Sequence, residues 1–215
     1  MTKEKYNNFV KELEAERDWR IAEFGRVKRI LQIIQKTENE KYVRTYLKMT
    51  IPMIYAHWEG YCVASFKLMA EYINKEEIDA RMCTYNLITY ANTVAYDKLK
   101  GKSSFEHRTE FSREFEKILD GKLKIPARID TKSNLNYKVL KEILDIFEIN
   151  INKFQKYESD LNTLVNIRNA IAHGENSIIP DIEKMEKSIK CITEMIDIFL
   201  VEQTEYIKNE DYLKS

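Results

Sequence analysis

The sequence predicts an all-α protein, a helical bundle with one inserted helix and loop region. Over long stretches, apolar residues recur every three or four positions, which is the period of a helix. Five glycines and three prolines in 215 residues are too few for the tight turns of a sandwich, a barrel or an α/β fold. The hydrophobic fraction of 44% suffices for a core, so we expect residues 1–215 to form one domain.

The first half of the chain predicts three helices. Residues 6–36 combine apolar residues in helical phase with a charged outer face. Residues 41–73 are apolar on nearly every side around the segment 55–61, which indicates a buried central helix. We expect a kink or a restart near Pro52, because proline cannot donate the helical hydrogen bond. Residues 78–98 predict the third helix.

The second half predicts a shorter helix, a loop and the remaining helices. Residues 104–119 predict an amphipathic helix that Ser104 caps. Residues 122–136, which contain Pro126, predict a loop followed by short helical segments through residue 147. Residues 154–173 predict a helix that ends at Gly174. A final amphipathic helix follows Pro180, with the apolar residues Ile182, Met185, Ile189, Ile192, Met195, Ile196, Phe199 and Leu200.

Charge is balanced over the chain but not along it. The chain has 35 basic and 35 acidic residues, which excludes a global basic field and makes any affinity for nucleic acid local. Residues 98–141 carry 12 Lys and Arg against 6 Asp and Glu, whereas residues 175–215 carry 5 against 10. Residues 98–141 are therefore the better candidate for contact with RNA phosphates. An ordinary solvated helix and loop is an equally good interpretation.

Several kinds of site have no sequence support. The phosphate-binding patterns GxxxxGK[ST] and GxGxxG are absent, as are the HExxH and GxSxG motifs. The three histidines lack metal-ligand spacing, and the three cysteines contain no CxxC pair, so we expect no metal, no cofactor and no disulfide framework. No stretch of about 18 apolar residues occurs, and no apolar run follows the first residues, which predicts a cytoplasmic protein without a membrane span.

The helix predicted to end at Gly174 carries a charge in its apolar stripe. On an ideal wheel Arg168 lies within about 60° of the apolar residues Leu161, Leu164, Val165, Ile171 and Ala172. An unpaired buried guanidinium costs several kcal/mol. The sequence therefore predicts either an ion pair with Glu59, the carboxylate of the buried helix, or an interface that admits an anion.

Asn169 and His173 lie four residues apart beside Arg168, so one helix end presents an amide, an imidazole and a cation. This trio suits RNA cleavage without a metal, in which His173 moves a proton, Arg168 stabilises charge on the phosphate and Asn169 orients either group. The reaction needs an acid and a base, and a two-fold dimer would supply a second histidine. The structural alternative is that His173 only interacts with the helix dipole and Arg168 only organises the core.

The two other histidines receive no chemical role. His57 and Trp58 are predicted to be packing residues of the buried helix, and His107 lies on a helix predicted to be exposed.

Residues 168–173, Arg-Asn-Ala-Ile-Ala-His, match the Arg-x4-His signature of the HEPN superfamily. Three further stretches resemble a bacterial branch close to RiboL-PSP-HEPN: Glu-Arg-Asp-Trp-Arg at 16–20, Tyr-Ala-His-Trp-Glu-Gly-Tyr at 55–61 and Asp-Thr-Lys-Ser-Asn-Leu-Asn at 130–136. The resemblance implies a helical bundle with the motif at a dimer interface. It also implies a composite active site and metal-independent endoribonuclease activity, often in toxin-antitoxin or phage-defence systems.

The same resemblance assigns roles to residues. It makes Arg168 and His173 catalytic and Asn169 assisting, and gives Glu59 a supporting role. The segment 130–136 has no assigned role, although its Lys132, Ser133 and Asn134 are candidates for RNA binding.

The resemblance also bears on partners. Position 175 is Glu, where HEPN toxins controlled by nucleotidyltransferase antitoxins have Tyr, so we do not expect that form of control. Another antitoxin or a defence-system partner is compatible with the sequence. The superfamily also contains non-catalytic nucleotide-binding and scaffold modules, which are the alternative function.

Overall fold

The computed structural model describes residues 3–101, 104–175 and 180–214, and this part of the chain is helical and contains no strand. The all-α prediction is confirmed. The elements are α1 Lys3–Gln35, α2 Glu40–Lys75, the 3-10 helix η1 Ala80–Met82, α3 Tyr85–Ala91, α4 Thr93–Leu99, α5 Phe105–Leu119, α6 Tyr137–Ile146, the 3-10 helix η2 Ile151–Tyr157, α7 Glu158–Ala172 and α8 Ile182–Lys208. No helix among the described residues is both long and apolar enough to span a bilayer.

Helix α2 is the centre of the bundle and packs against α1, α7 and α8. Its Trp58 is fully buried, with its ring centroid 5.5 Å from that of Phe199 on α8. The expected restart at Pro52 is wrong, since α2 continues through this residue. Ile51 and Ile54 on either side are fully buried, and their packing outweighs the hydrogen bond that proline removes.

The prediction of one helix over residues 78–98 is wrong. The segment divides into η1, α3 and α4. The Thr84 side chain accepts a hydrogen bond from the Leu87 amide and so starts α3 afresh, and Asn92 ends α3 and precedes α4. Such side-chain caps offer the backbone an alternative to a continuous helix.

Helix α5 lies at the periphery, against α3, α4 and η1, and none of its residues is fully buried. Its predicted cap is confirmed, because the Ser104 side chain accepts a hydrogen bond from the amide of His107. The polar outer face of α5 fits this position.

The predicted loop over residues 122–136 is confirmed, and it lies along α2. The Asn74 side chain near the end of α2 makes two hydrogen bonds with the backbone of Ile125, at 2.7 and 2.9 Å. Farther along the loop, the Leu135 carbonyl accepts a hydrogen bond from the Trp58 indole at 3.1 Å. Four apolar side chains of the loop are buried against the bundle: Leu123, Ile125, Ile129 and Leu135. We call residues 122–135 the strap.

Helix α7 carries the predicted motif and ends as the sequence indicates. Its α-helical part begins at Glu158, four residues later than predicted, because residues 151–157 form η2. Gly174 adopts a left-handed φ of +77°, and the Gly174 and Glu175 amides bond to the carbonyls of Ile171 and Ala170. These two hydrogen bonds form a Schellman cap, which fixes the end of the helix at His173.

Candidate functional site

The polar motif of α7 faces the middle of α2. Arg168 and Asn169 are half-buried, and the Arg168 guanidinium carbon lies 4.2 Å from the centroid of the Tyr55 ring. Arg168 Nη1 donates a hydrogen bond of 2.7 Å to Asn169 Oδ1. The expected ion pair with Glu59 is not formed, and none of the ion pairs among the described residues includes Arg168. An aromatic face and an amide thus hold this guanidinium, and no carboxylate of the described residues forms an ion pair with it.

Tyr55 is fixed through its hydroxyl group. Its hydroxyl accepts a hydrogen bond from the Leu135 amide at 2.7 Å and donates one to Glu59 Oε1 at 3.2 Å. The Thr131 hydroxyl donates to the same Glu59 oxygen at 2.6 Å. Burial, together with the charge of Glu59, raises the pKa of Tyr55 to about 12, so the phenol is neutral at physiological pH. Glu59 therefore orients the tyrosine on which Arg168 lies and does not pair with Arg168 itself.

The strap reaches the motif through a strained turn at residues 131–134. The Asn134 amide bonds to the Thr131 carbonyl at 3.0 Å, and both central residues have left-handed φ values, 54° at Lys132 and 49° at Ser133. This is the pattern of a type I′ turn, in which each non-glycine residue costs about 1 kcal/mol or more. The turn persists because Asp130 Oδ1 accepts a hydrogen bond from the Lys132 amide at 2.8 Å.

The structure brings one of the three strap candidates to the motif directly. Asn169 Nδ2 donates a hydrogen bond of 3.2 Å to Asn134 Oδ1, so the amide of Asn169 links Arg168 on one side to the turn on the other. Ser133 is exposed at the tip of the turn, and the exposed Lys132 forms an ion pair with Glu142. The segment 130–136, which sequence reasoning left without a role, is one wall of the site.

His173 is the C-cap of α7, one turn beyond Asn169. Its backbone amide bonds to the Asn169 carbonyl at 2.9 Å, while the residue is exposed and its ring has no hydrogen-bond partner in the described part of the chain. His173 is therefore open to solvent at the end of α7.

The two other histidines lie away from the motif and contact residues of their own helices or of α1. His57 is buried, with its ring centroid 5.2 Å from that of Trp19 and 5.1 Å from that of Phe24, which confirms its predicted packing role. Trp58 is also a packing residue, as predicted. His107 Nδ1 lies 2.5 Å from the Ser104 hydroxyl on peripheral α5.

Other chemically reactive groups do not form a second site in the described residues. The cysteines at 62, 83 and 191 are buried and unpaired. Within the ranges 3–101, 104–175 and 180–214, no group of three or more His, Cys, Asp or Glu side chains could hold a metal ion.

Residues 16–20, one of the stretches that resemble the bacterial HEPN branch, lie on α1 and contact α2. Arg20 Nη1 forms a 2.5 Å ion pair with Glu16, and its guanidinium carbon lies 4.2 Å from the centroid of the Trp19 ring and 5.7 Å from that of Tyr61. Arg20 is only 5% exposed. A Cβ atom at Gly60 would lie 3.2 Å from Arg20 Nη2, so glycine permits this close approach.

Sequence reasoning missed Tyr55 and Thr131. Tyr55 precedes Glu59 by four residues, so the two share a face of α2, and this spacing is the signal that could have identified it. Thr131 has no such local signal because it contacts Glu59 across 72 positions of sequence.

An all-helical bundle that presents Arg-x4-His at the end of an interior helix has the architecture of a HEPN-type domain. This chain belongs to the RiboL-PSP-HEPN family, whose model matches residues 15–201. The match includes all four resembling stretches. Neither the curated proteins nor the solved structures contain a match to the chain.

Proposed function

We propose that this protein is an endoribonuclease that cleaves RNA without a metal ion. The 2′-hydroxyl oxygen attacks the adjacent phosphorus, the bond from phosphorus to the 5′ oxygen breaks, and the products are a 2′,3′-cyclic phosphate and a 5′-hydroxyl. The observation that carries the proposal is a guanidinium held by Tyr55 and Asn169, unpaired with any carboxylate of the described residues and five positions before the exposed His173 at the end of the same helix.

Each residue of the site has a role in this reaction. Arg168 stabilises the charge that develops on the phosphate oxygens, and its fixed position avoids reorganisation during the reaction. His173 takes the proton of the 2′-hydroxyl or gives one to the 5′ oxygen. Asn169 orients the guanidinium through its 2.7 Å hydrogen bond, and Glu59 orients Tyr55.

A second set of residues is proposed to contact the RNA. Asn134, whose amide carbonyl bonds to Asn169, is placed to hold a sugar or a base edge, and Lys132 and Ser133 lie exposed beside it.

The proposed active form is a two-fold dimer. The proton transfers require both a base and an acid, and one chain presents a single histidine at the end of α7. A symmetric partner would add a second copy of His173 at the seam. The resemblance to HEPN toxins suggests a cytoplasmic toxin or phage-defence effector with an antitoxin or other defence-system partner.

The alternative is a non-catalytic module that binds a nucleotide or RNA, or a scaffold for a partner protein. Because one chain presents a single histidine at the end of α7, a protein that remains monomeric would favour this function. A nucleotide-binding module would gain thermal stability on addition of a nucleotide.

The test is incubation of the purified protein with total bacterial RNA in excess EDTA, followed by mapping of the new ends. The variants are His173→Ala and, as a matched control, His107→Ala on peripheral α5. We expect the wild type and His107→Ala to leave cyclic phosphates, and His173→Ala to be slower by about a hundredfold or more. Cleavage by His173→Ala at the wild-type rate would contradict the proposal, as would 5′-phosphate ends. Intact RNA in every sample would favour the binding module.

A further inference from the structure

The outer edge of the strap is a row of basic side chains that leads to the site. Along residues 122–125 and 128–131 the side chains alternate between exposed and buried, the pattern of an extended chain with one face on the bundle. The buried face is Leu123, Ile125, Ile129 and Thr131, and the exposed face includes Lys122, Lys124, Arg128 and Lys132. The strap has a single acidic residue, Asp130, whose carboxylate accepts the Lys132 amide hydrogen bond.

Three of these cations are not neutralised by neighbouring carboxylates. None of the ion pairs among the described residues involves Lys122, Lys124 or Arg128, although Lys132 pairs with Glu142. The excess of basic residues over residues 98–141 does not come from α5, because α5 has four Glu against three Lys and Arg. It lies in the segments on either side of α5, and the strap is the one that leads to the motif.

The strap is long and firmly anchored. It is hydrogen-bonded to Asn74 at one end and to Glu59 and Trp58 farther along. Asn74 and Glu59 are 15 residues apart on α2, so these anchors are separated by about 22 Å along the helix. Buried side chains hold its backbone between these points. The exposed cations are thus presented on a fixed, extended track that ends at the turn beside Asn169.

We infer that the strap is the docking track for the RNA backbone that flanks the cleaved linkage, and that its occupant is single-stranded RNA. The inference rests on the proposed function, since the track leads to the proposed site of cleavage. Lys122, Lys124 and Arg128 contact successive phosphates and carry no base preference, because a cation opposite a phosphate positions the strand without reading its sequence. Unpaired RNA fits this role, since the in-line attack by a 2′-hydroxyl needs a backbone free to leave the A-form geometry.

The test is the salt dependence of binding, measured by fluorescence anisotropy with a labelled single-stranded RNA of mixed sequence. The riboses carry 2′-O-methyl groups, so the probe cannot be cleaved by 2′-hydroxyl attack and the wild-type chain can be used. The variant is Lys122→Gln/Lys124→Gln/Arg128→Gln. The matched control is Arg26→Gln/Lys28→Gln/Arg29→Gln on α1, which removes the same charge from three exposed residues that are also outside the described ion pairs.

We expect the strap variant to bind the probe roughly tenfold or more weakly at low salt. The slope of log affinity against log salt should become less steep by about 2, because each of the three lost phosphate contacts contributes about 0.7. The control should keep a slope close to that of the wild type. Lys124→Gln alone should lower the slope by about 0.7, which keeps the test valid if the triple variant unfolds. Equal slopes for the two triple variants would overturn the inference, as would a wild-type chain that does not bind the probe.

The cleavage assay separates this inference from the proposed function. If no RNA is cut but the strap variant binds more weakly than the control, the nuclease proposal fails and the docking track stands. If RNA is cut while the strap variant binds the probe like the wild type, the nuclease proposal stands and only the docking track fails.

Discussion

Arg20 on α1 and Arg168 on α7 each lie beside a tyrosine of α2 and over an aromatic ring, but they differ in burial and in their polar partners. Arg20 is 5% exposed, pairs with Glu16 at 2.5 Å and lies 4.2 Å from the Trp19 ring. Arg168 is half-buried and is held by an amide and an aromatic face, and in the described part of the chain no carboxylate pairs with it. A paired, enclosed guanidinium stabilises the fold, whereas an oriented but unneutralised one at the surface can receive an anion.

The largest expected loss of stability is at Arg20. Replacement by alanine leaves Glu16 unpaired and opens a cavity between Trp19 and Tyr61, so Arg20→Ala should lower the free energy of unfolding by about 3 kcal/mol. Urea denaturation measures this change. The control is Arg17→Ala on the same helix, whose partners Asp18 and Asp197 are exposed, and its loss should be about 1 kcal/mol or less. Equal losses in the two variants would show that the Arg20 cluster has no special structural role.

The second prediction concerns the ring under Arg168. Tyr55→Phe keeps the aromatic face but removes one of the two hydrogen-bond donors to Glu59 and leaves the Leu135 amide without its acceptor, at a cost of about 1 to 2 kcal/mol of stability. Tyr55→Leu also removes the surface on which the guanidinium lies. A cation–π contact of about 1 kcal/mol or more makes RNA cleavage by Tyr55→Leu about tenfold slower than by Tyr55→Phe, both measured well below their melting temperatures. Equal rates would mean that the ring does not position Arg168.

These contacts show which parts of the molecule the sequence could predict. Helical periodicity predicted α1, α5 and α8, and Gly174 predicted the end of α7, because these signals are local. The Arg168–Asn169–His173 trio was predicted as a site from its helical angles and spacing and from the family signature. The strap could be predicted only as a loop, since its bonds to Tyr55 and Glu59 span 80 and 72 positions. Glu59 was expected as a partner of Arg168 because both lie on interior helix faces, whereas the structure pairs it with Tyr55, only four residues away.

A third prediction concerns His57 of α2, near Arg20, and how its titration makes the stability of the protein depend on pH. Burial lowers the pKa of His57 below its ordinary value of 6.5, against the opposing effect of Glu23 at 3.3 Å. Below pH 6.5 the unfolded chain therefore binds more protons at this residue than the folded chain does, and the stability contributed by neutral His57 is lost as the pH falls. Between pH 7.5 and 5.5 the decline should stay below about 1.4 kcal/mol per pH unit and should flatten in His57→Gln. An equally steep decline in His57→Gln would assign it to other groups.

The smallest expected effect is a difference in stability between alanine substitutions at two glycines that lie in helices. Gly25 on α1 has no atom within 4 Å of an added Cβ, so Gly25→Ala should stabilise the protein by up to about 1 kcal/mol through helix propensity. At Gly60 the same gain is opposed because the Cβ would press on Arg20 Nη2 at 3.2 Å. Thermal melts should place Gly60→Ala about 1 kcal/mol below Gly25→Ala. Equal gains would indicate that Arg20 moves freely and is not held as closely as its contacts indicate.

The measurement that tests the contrast between the two arginines most directly is Arg168→Ala, with RNA cleavage in EDTA and the free energy of unfolding determined on the same preparation. Because no carboxylate of the described residues pairs with Arg168, we expect cleavage to fall by about a hundredfold or more while stability changes by about 1 kcal/mol or less. A loss of stability as large as that of Arg20→Ala, with cleavage retained in the folded fraction, would contradict the account and make Arg168 a second structural arginine.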